Sequence, residues 1–278
     1  MKVSQAAKSF LDYHRMNSKK NTLRNYLHLL TEFSSQFGER QAESLTPEET
    51  LSFLSHLTEG LKQSTKRLRF SLLRAFFTFI TNTGNERFQN PCDSPMLRKI
   101  FKDYRPVPWK IVEKETVDEI IFRTEDQRNR LILELMARGG MRIGEVLKLT
   151  PSDIDGARIS IQAPKSDRQT EVAFVPQKLA HRLGEYIPHK GAEPKERIFP
   201  ISYPAARMVV KKAGELVGIS LRPHDLRRHA ATYASRAGTP IEIVSKVILR
   251  HANLATTQRY LGKVTDVEAI KWIENLHG

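Results

Sequence analysis

The chain has 278 residues, 40% of them hydrophobic and 27% charged, which suits one or two globular domains and excludes an intrinsically disordered chain. Lysine and arginine outnumber aspartate and glutamate by 45 to 31, and the net charge of +14 indicates a polyanionic partner, most commonly nucleic acid. Residues 1–105 hold 17 basic and 10 acidic side chains, so both halves of the chain contribute to this charge. On charge alone, a merely basic protein remains the alternative.

A single cysteine, Cys92, excludes a disulfide framework and a cysteine-based zinc site. The nine histidines show no metal-binding spacing such as H-E-x-x-H, so we expect no metal. The N-terminal residues lack the apolar core of a signal peptide, and no apolar run approaches the roughly 18 residues of a membrane span. We therefore predict a cytoplasmic protein without a membrane span.

Residues 1–105 predict a compact domain of four short helices. Apolar residues spaced by three and four over 23–37 predict an amphipathic helix. The capping-box pattern Thr-Pro-Glu-Glu at 46–49 opens another helix, which stops at Gly60. The stretch 71–84, SLLRAFFTFITNTG, predicts the most buried helix, and we assign its aromatic residues to the core rather than to base stacking.

A basic cluster precedes the aromatic residues of that buried stretch. A solvated helix face is the usual meaning of such a cluster, and contacts to phosphates are the alternative that the overall charge favours. Prolines within 90–95 and 102–110 break the helical pattern, and we place a domain boundary near Arg105. The residues of the cluster are Lys62, Lys66, Arg67, Arg69 and Arg74.

The second domain, residues 106–278, opens with predicted helices over 114–123 and 128–137. A Gly-Gly pair ends the second of them, and Arg142 follows at once. An arginine held at such a junction can direct its two-pronged guanidinium at a phosphate, although most arginines beside glycine turns are solvated.

Two short strands, over 157–163 and 172–175, predict a hairpin. Its polar loop carries Lys165 and Arg168. A lysine on a hairpin can enter a site when substrate binds, which suits a general acid for a leaving oxygen. In isolation, the same lysine is an ordinary surface residue.

The run RPHDLRRHAAT is the strongest local signal. Pro223 opens a helix on which His224 and Arg227, three residues apart, share a face. Arg228 and His229 are rotated away from that face, and we expect them to contact solvent or a DNA backbone. Further on, a histidine is followed nine residues later by a tyrosine, a pair that alone would mean only core or surface residues.

The order of these residues resembles the tyrosine recombinase (phage integrase) family. The resemblance rests on Arg142, Lys165, H-D-L-R at 224–227, His251 and Tyr260, and it covers nearly the whole chain. It implies a mainly α fold with a small β-hairpin, in which a helical core-binding domain precedes a mixed α/β catalytic domain. It also implies a site-specific recombinase for double-stranded DNA. With no arm-binding domain ahead of the helical unit, a simple Xer-like system is favoured over a large phage integrase.

By this resemblance, Tyr260 would attack a DNA phosphodiester, form a 3′-phosphotyrosyl link and free a 5′-hydroxyl. Lys165 would protonate the leaving oxygen, and His224 would assist proton transfer from Tyr260. Arg142 and Arg227 would hold the non-bridging oxygens. His251 would add a hydrogen bond to the phosphate. The candidates for contacts with the DNA backbone are Lys62, Lys66, Arg67, Arg69, Arg228 and Arg250.

The chemistry of these side chains supports such roles. A phenol with a pKa of about 10 is a weak nucleophile at neutral pH and needs a nearby base or a positive field. Charge that develops on the phosphorane is best met by fixed donors, which two guanidiniums and two imidazoles supply without a metal. A covalent link conserves the bond energy, so we expect no nucleotide cofactor. Glu145 and Asp225 lie beside the motifs and are interpreted as orienting residues.

The chain departs from the family pattern at Arg250, where glycine is usual, and in the length of the hairpin around Lys165. GGM replaces the more usual threonine-glycine ahead of Arg142, a change that we expect to be harmless. The tail, residues 264–278, has a short apolar face, which either packs on its own domain or docks onto a neighbouring protomer in a tetramer on two DNA sites. A type IB topoisomerase, which relaxes DNA by similar chemistry, and a non-catalytic DNA-binding relative are the alternative functions.

Overall fold

The computed structural model describes residues 1–83, 88–102, 111–162, 170–258, 261, 270, 273 and 274. The chain divides into two compact units, Met1–Val107 and Pro108–Gly278. The boundary predicted near Arg105 falls outside the described residues. Within the described part of the chain, no helix is long and apolar enough to cross a membrane.

The first unit is helical, because its apolar residues recur at helical spacing and meet in one aromatic core. Phe33, Phe76 and Phe77 are fully buried, and their rings pack mostly edge to face. This confirms that the phenylalanines of the buried stretch belong to the core. Its helices are α1 (Val3–Asn17), α2 (Lys20–Phe37), α3 (Pro47–Leu57), α4 (Gln63–Asn82) and α5 (Pro95–Ile100), with 3₁₀ turns at Ala42–Ser44 and Pro91–Asp93.

Two local predictions in this unit can be compared with the structure. The capping box at the start of α3 is present, since Glu49 N–H donates to Thr46 Oγ1 over 3.2 Å and Thr46 N–H donates to Glu49 over 3.1 Å. Helix α4 begins earlier than predicted, so the basic cluster extends from its N-cap, Lys62, to Arg74 past its midpoint. Within that cluster, Arg74 forms an ion pair of 2.8 Å with Asp93.

The second unit packs helices around a three-stranded antiparallel sheet in the order β1-β2-β3. Ile159 and Ile161 of β2 are buried beneath the helices, as their alternation predicts. The sequence did not reveal β1, which is only two residues long. The elements are α6 (Lys114–Arg123), α7 (Gln127–Ala137), α8 (Ile143–Val146), β1 (Ile154–Asp155), β2 (Arg158–Gln162), β3 (Thr170–Phe174), α9 (Gln177–Lys190), α10 (Tyr203–Glu215), α11 (Pro223–Arg236), α12 (Ile241–Ile243), a π-helix (Val244–Ile248) and α13 (Leu254–Gln258), with a 3₁₀ turn at Pro151–Asp153.

Helix α11 is enclosed by its unit, since its residues from Leu226 to Thr232 are all buried. This burial corrects the expectation that Arg228 and His229 face solvent or a DNA backbone. Arg228 forms an ion pair of 3.0 Å with Asp225, and His229 Nδ1 lies 2.9 Å from the backbone oxygen of Val112. Periodicity placed these two residues on a different face from Arg227, but that face is also packed.

The helix that follows α11 changes its winding. Helix α12 is a single turn, and residues Val244–Ile248 form a π-helix. π-Turns are rare and widen the backbone locally. Here the widened turn buries Val244 and Ser245 and leads directly into Arg250 and His251.

Candidate active site

The turn that carries Arg142 depends on glycine. Helix α7 ends at Ala137, and Gly140 then adopts φ 59°, a left-handed conformation that favours glycine. A Cβ at Gly140 would lie 2.7 Å from the backbone oxygen of Ile248, so this turn and the end of the π-helix are in close contact. Arg142 is the N-cap of α8; its backbone N–H donates to Glu145 over 2.8 Å and its Nη1 donates to Glu145 over 2.5 Å.

Arg227 is buried in the interior of the site and held by backbone acceptors. Its side chain is 1% exposed, and its two terminal nitrogens donate to the backbone oxygens of Gly140 and Leu249. These acceptors lie on the turn before Arg142 and the turn before His251, so Arg227 ties both segments to α11. A buried cation with fixed acceptors is already oriented before any anion binds.

His251 lies in a chain of hydroxyl groups. Its Nδ1 is 3.0 Å from Thr257 Oγ1, which in turn donates to Ser245 Oγ over 2.8 Å. Burial, followed by the positive charges of Arg227, Arg142 and Arg250, lowers the pKa of His251 from 6.5 to about 4. The ring is therefore neutral at physiological pH, and these three arginines lie close enough to repel its protonated form.

Arg250 occupies the position where the family usually has glycine, and its backbone adopts φ 51°. It is the one residue besides glycine with a positive φ in the part of the chain that the structure describes. For a residue with a side chain, this conformation costs about 1–2 kcal/mol. Its side chain is 2% exposed, so the guanidinium that was expected to contact a DNA backbone lies buried inside the unit.

Buried contacts offset that cost. Arg250 Nη2 lies 2.7 Å from Glu145 Oε2 and donates to the backbone oxygen of Gly140 over 3.3 Å. Its Nη1 donates to the backbone oxygen of Ile248 over 2.9 Å, and its Nε lies 3.5 Å from Glu171 Oε2. The guanidinium thus connects the turn before Arg142, the end of the π-helix and strand β3.

Glu145 is shared by two of these arginines. Burial raises the pKa of Glu145, but the ion pair with Arg250 and the hydrogen bonds and charge of Arg142 outweigh burial and hold the pKa below its ordinary value. Glu145 is therefore a carboxylate that only accepts hydrogen bonds, which supports its interpretation as an orienting residue. Asp225 has a different task, because it accepts the backbone N–H of Arg222 over 2.9 Å at the start of α11 and pairs with Arg228.

The structure brings together Arg142, Arg227 and His251. His224 is exposed on the first turn of α11, three residues before Arg227. Lys165 and Tyr260 lie outside the described residues, as does Arg168.

Three residues of this site were not singled out from the sequence. Glu171 is buried on strand β3, and Ser245 and Thr257 hold His251 in place. Only Thr257 had a sequence signal, because it lies three residues before Tyr260. Among the residues that the structure describes, no group of His, Cys, Asp and Glu could hold a metal ion.

Arg142, which is partly exposed, and the buried Arg227 lie beside a neutral histidine, and fixed cationic donors of this kind can bind a phosphodiester. The chain belongs to the phage integrase family: residues 110–265 match the model of that family, and residues 7–84 match the model "Phage integrase, N-terminal SAM-like domain". It is accordingly a DNA recombinase of the tyrosine type.

Known proteins resemble the chain over most of its length. It is 28% identical to the tyrosine recombinase XerA of Pyrococcus horikoshii, over 99% of this chain and 96% of that protein. It is 26% identical to the tyrosine recombinase XerC of Haemophilus influenzae, over 92% of this chain and 91% of that protein. The Tn1549 transposon integrase, solved in complex with transposon right end DNA, has the same fold, with a TM-score of 0.79, 19% identity and 100% of both chains covered.

Proposed function

We propose that the chain is a site-specific recombinase that cleaves and rejoins duplex DNA through a 3′-phosphotyrosine at Tyr260. The observation that carries this proposal is the convergence of Arg142, Arg227 and His251 in the unit that matches the integrase family. Cleavage would form the Tyr260–phosphorus bond as the bond to the 5′ oxygen breaks, and Lys165 would give that oxygen its proton. Religation is the same exchange in reverse, which needs no nucleotide.

The two arginines would carry most of the transition-state stabilisation. Fixed donors of this kind are each worth roughly 3–4 kcal/mol when they meet charge that develops only in the transition state. Arg227 is the more rigid of the two, because it is buried and bonded to two backbone oxygens. Arg142 is 25% exposed, which leaves part of its guanidinium accessible to a bound phosphate.

His251 needs a particular tautomer to donate to the phosphate. In the bonding pattern described above, Thr257 donates to Ser245, so His251 Nδ1–H donates to Thr257 and Nε2 keeps its lone pair. Rotation of both hydroxyls would reverse the chain and place the ring proton on Nε2, which could then donate to a phosphate. We propose that this reversal accompanies DNA binding, while His224 on the first turn of α11 assists the transfer of the tyrosine proton.

Assembly would complete the enzyme. Related structures include a lambda integrase dimer bound to a COC′ core site, and by analogy we propose a tetramer on two DNA sites, joined through the C-terminal tail. Ile270 and Ile273 in this tail are 57% and 60% exposed, which is consistent with an apolar face available to a neighbour. Deletion of residues 264–278 should reduce synapsis and leave binding to one site intact, and undiminished recombination would exclude the docking role.

The exposed part of the basic cluster in the first unit would contact the DNA backbone. Lys62 and Arg67 are exposed, while Lys66 and Arg69 are half-buried on the same half of α4. Replacement of Lys62 and Lys66 by glutamine should weaken DNA binding by a similar factor for all sequences and reduce its salt dependence. An unchanged salt dependence would exclude these two lysines from the backbone contacts.

The experiment that tests the proposed function separates recombination from relaxation. Two differently labelled duplexes, each carrying a site selected by the protein from a random-sequence library, are incubated with the full chain without nucleotide. We expect products that join the two labels. A change in the linking number of a supercoiled plasmid without joined products would instead support the topoisomerase alternative.

A further inference from the structure

We propose that Arg250 is a positioning residue for the phosphate-binding arginines. It neutralises the buried carboxylates Glu145 and Glu171, so that Arg142 keeps hydrogen-bonding capacity for the DNA phosphate. This inference rests on the proposed function, because it concerns how the same site is kept ready for DNA.

The backbone conformation is the first observation. Position 250 has φ 51°, where glycine would be unstrained and arginine is not. A strained conformation persists only where its surroundings determine it. At position 250 the buried guanidinium donates hydrogen bonds to the backbone oxygens of Ile248 and Gly140, and these contacts hold the backbone in its left-handed conformation.

The sharing of Glu145 is the second observation. Its Oε1 is bound by Arg142 Nη1 over 2.5 Å, and its Oε2 is bound by Arg250 Nη2 over 2.7 Å and by the backbone N–H of Arg142 over 2.8 Å. Without Arg250, the charge of Glu145 would fall on Arg142 alone. The Arg142 guanidinium would then be drawn toward Glu145 and would have fewer donors for a phosphate.

The connection to Arg227 and to strand β3 is the third observation. The backbone oxygen of Gly140 accepts a hydrogen bond from both Arg227 and Arg250. If the Arg250 guanidinium shifts and the Gly140 oxygen moves with it, the hydrogen bond from Arg227 to that oxygen is changed as well. Glu171, 3.5 Å from Arg250 Nε, lies on β3 close in sequence to the segment that carries Lys165. Arg250 therefore contacts the turn before Arg142, shares an acceptor with Arg227 and contacts strand β3.

The test compares Arg250→Gly, Arg250→Lys and the double variant Arg250→Gly/Glu171→Gln with the wild type. Glycine suits the backbone, lysine keeps the charge but not the forked donors, and glutamine removes one of the carboxylates that the arginine neutralises. Arg123→Ala, which removes an exposed arginine of the same unit, is the matched control. The substrate is a selected-site duplex with a nick that traps the covalent complex, and the single-turnover cleavage rate and the DNA Kd are measured separately.

We expect Arg250→Gly to cleave on the order of 10–100-fold more slowly at saturating DNA, with a Kd within about threefold of the wild type. This loss is smaller than the roughly 100–1,000-fold loss of a removed preorganised donor, because Arg142 itself remains. Arg250→Lys should recover part of the rate, and the added Glu171→Gln should recover part of the rate lost in Arg250→Gly. If Arg250 had only a structural role, Arg250→Gly would lower the melting temperature, and the added Glu171→Gln would not restore the cleavage rate.

The proposal is overturned if Arg250→Gly cleaves at the wild-type rate, or if its rate loss is not relieved by either lysine or Glu171→Gln. If Arg250→Gly fails to fold, the single variant Glu171→Gln tests the proposal. It should change the cleavage rate without a matching change in Kd. An unchanged cleavage rate would overturn the proposal. Failure of the proposed function looks different, since the wild type itself would then form no covalent complex with DNA.

Discussion

Gly140 is the position where one added methyl group should disturb the whole site. The substitution Gly140→Ala places a Cβ 2.7 Å from the backbone oxygen of Ile248 and 2.8 Å from its Cγ2, at a backbone φ of 59°. Neither neighbour is a flexible chain end that can move aside freely. The turn before Arg142 must therefore separate from the end of the π-helix, and the Gly140 oxygen that Arg227 and Arg250 share moves with it.

The magnitude follows from two contributions. The left-handed conformation costs about 1–2 kcal/mol for alanine, and overpacking of a tight contact costs about 1–3 kcal/mol. A total of roughly 2–5 kcal/mol should lower the melting temperature of the catalytic unit by about 4–20 °C, because each kcal/mol shifts a domain of this size by about 2–4 °C. Calorimetry of the full chain, which reports each unit's transition, measures this value.

Gly144→Ala is the matched control, since a Cβ there meets nothing within 4 Å. It lies inside α8, where alanine is favoured over glycine by about 0.5–1 kcal/mol, so this variant should be neutral or slightly stabilised. Gly140→Ala should also cleave DNA more slowly than Gly144→Ala. Equal melting temperatures and equal cleavage rates for the two variants would refute the close contact and its role in holding the arginines.

Three further predictions concern other parts of the molecule. Thr257→Val should slow cleavage by removing the hydroxyl that holds His251, whereas Thr256→Val at an exposed neighbour should not; equal rates would exclude this hydrogen-bond chain from the mechanism. Because the pKa of His251 is lowered from 6.5 to about 4, the unfolded chain binds more protons between these values, so stability is complete above pH 6.5 and is lost as the pH falls toward 4. His251→Gln should make denaturant unfolding less sensitive to pH in this window, and an unchanged pH dependence would contradict the assignment. Phe76→Ala, at a fully buried ring, should destabilise the first unit by about 3–5 kcal/mol, whereas Met16→Ala, at an 87% exposed side chain, should not.

Local patterns in the sequence predicted many of the helices and the segments that carry Arg142, Arg227 and His251. Glycines marked the turn before Arg142, and the spacing of H-D-L-R placed His224 and Arg227 on one helix. The capping box at Thr46 was readable because its partners are three residues apart. Each of these features depends on neighbours close in sequence, which is why spacing alone was sufficient.

The remaining features depend on contacts between distant segments. The burial of Arg228 was missed because helical spacing does not show that a second face of α11 is also packed. The role of Arg250 requires Glu145 and Glu171, which precede it by 105 and 79 residues along the chain. The π-helix was missed because no residue pattern distinguishes it from the α-helix that precedes it.

The identity of the attacking residue is the most direct test of the account. The full chain is incubated with a nicked duplex that carries its selected site, the covalent complex is digested with a protease, and the peptide that retains the nucleotide is sequenced by mass spectrometry. We predict a single 3′-phosphotyrosine at Tyr260, formed without added metal or nucleotide and absent from Tyr260→Phe. An adduct on any other residue, or one that persists in Tyr260→Phe, would contradict the central claim.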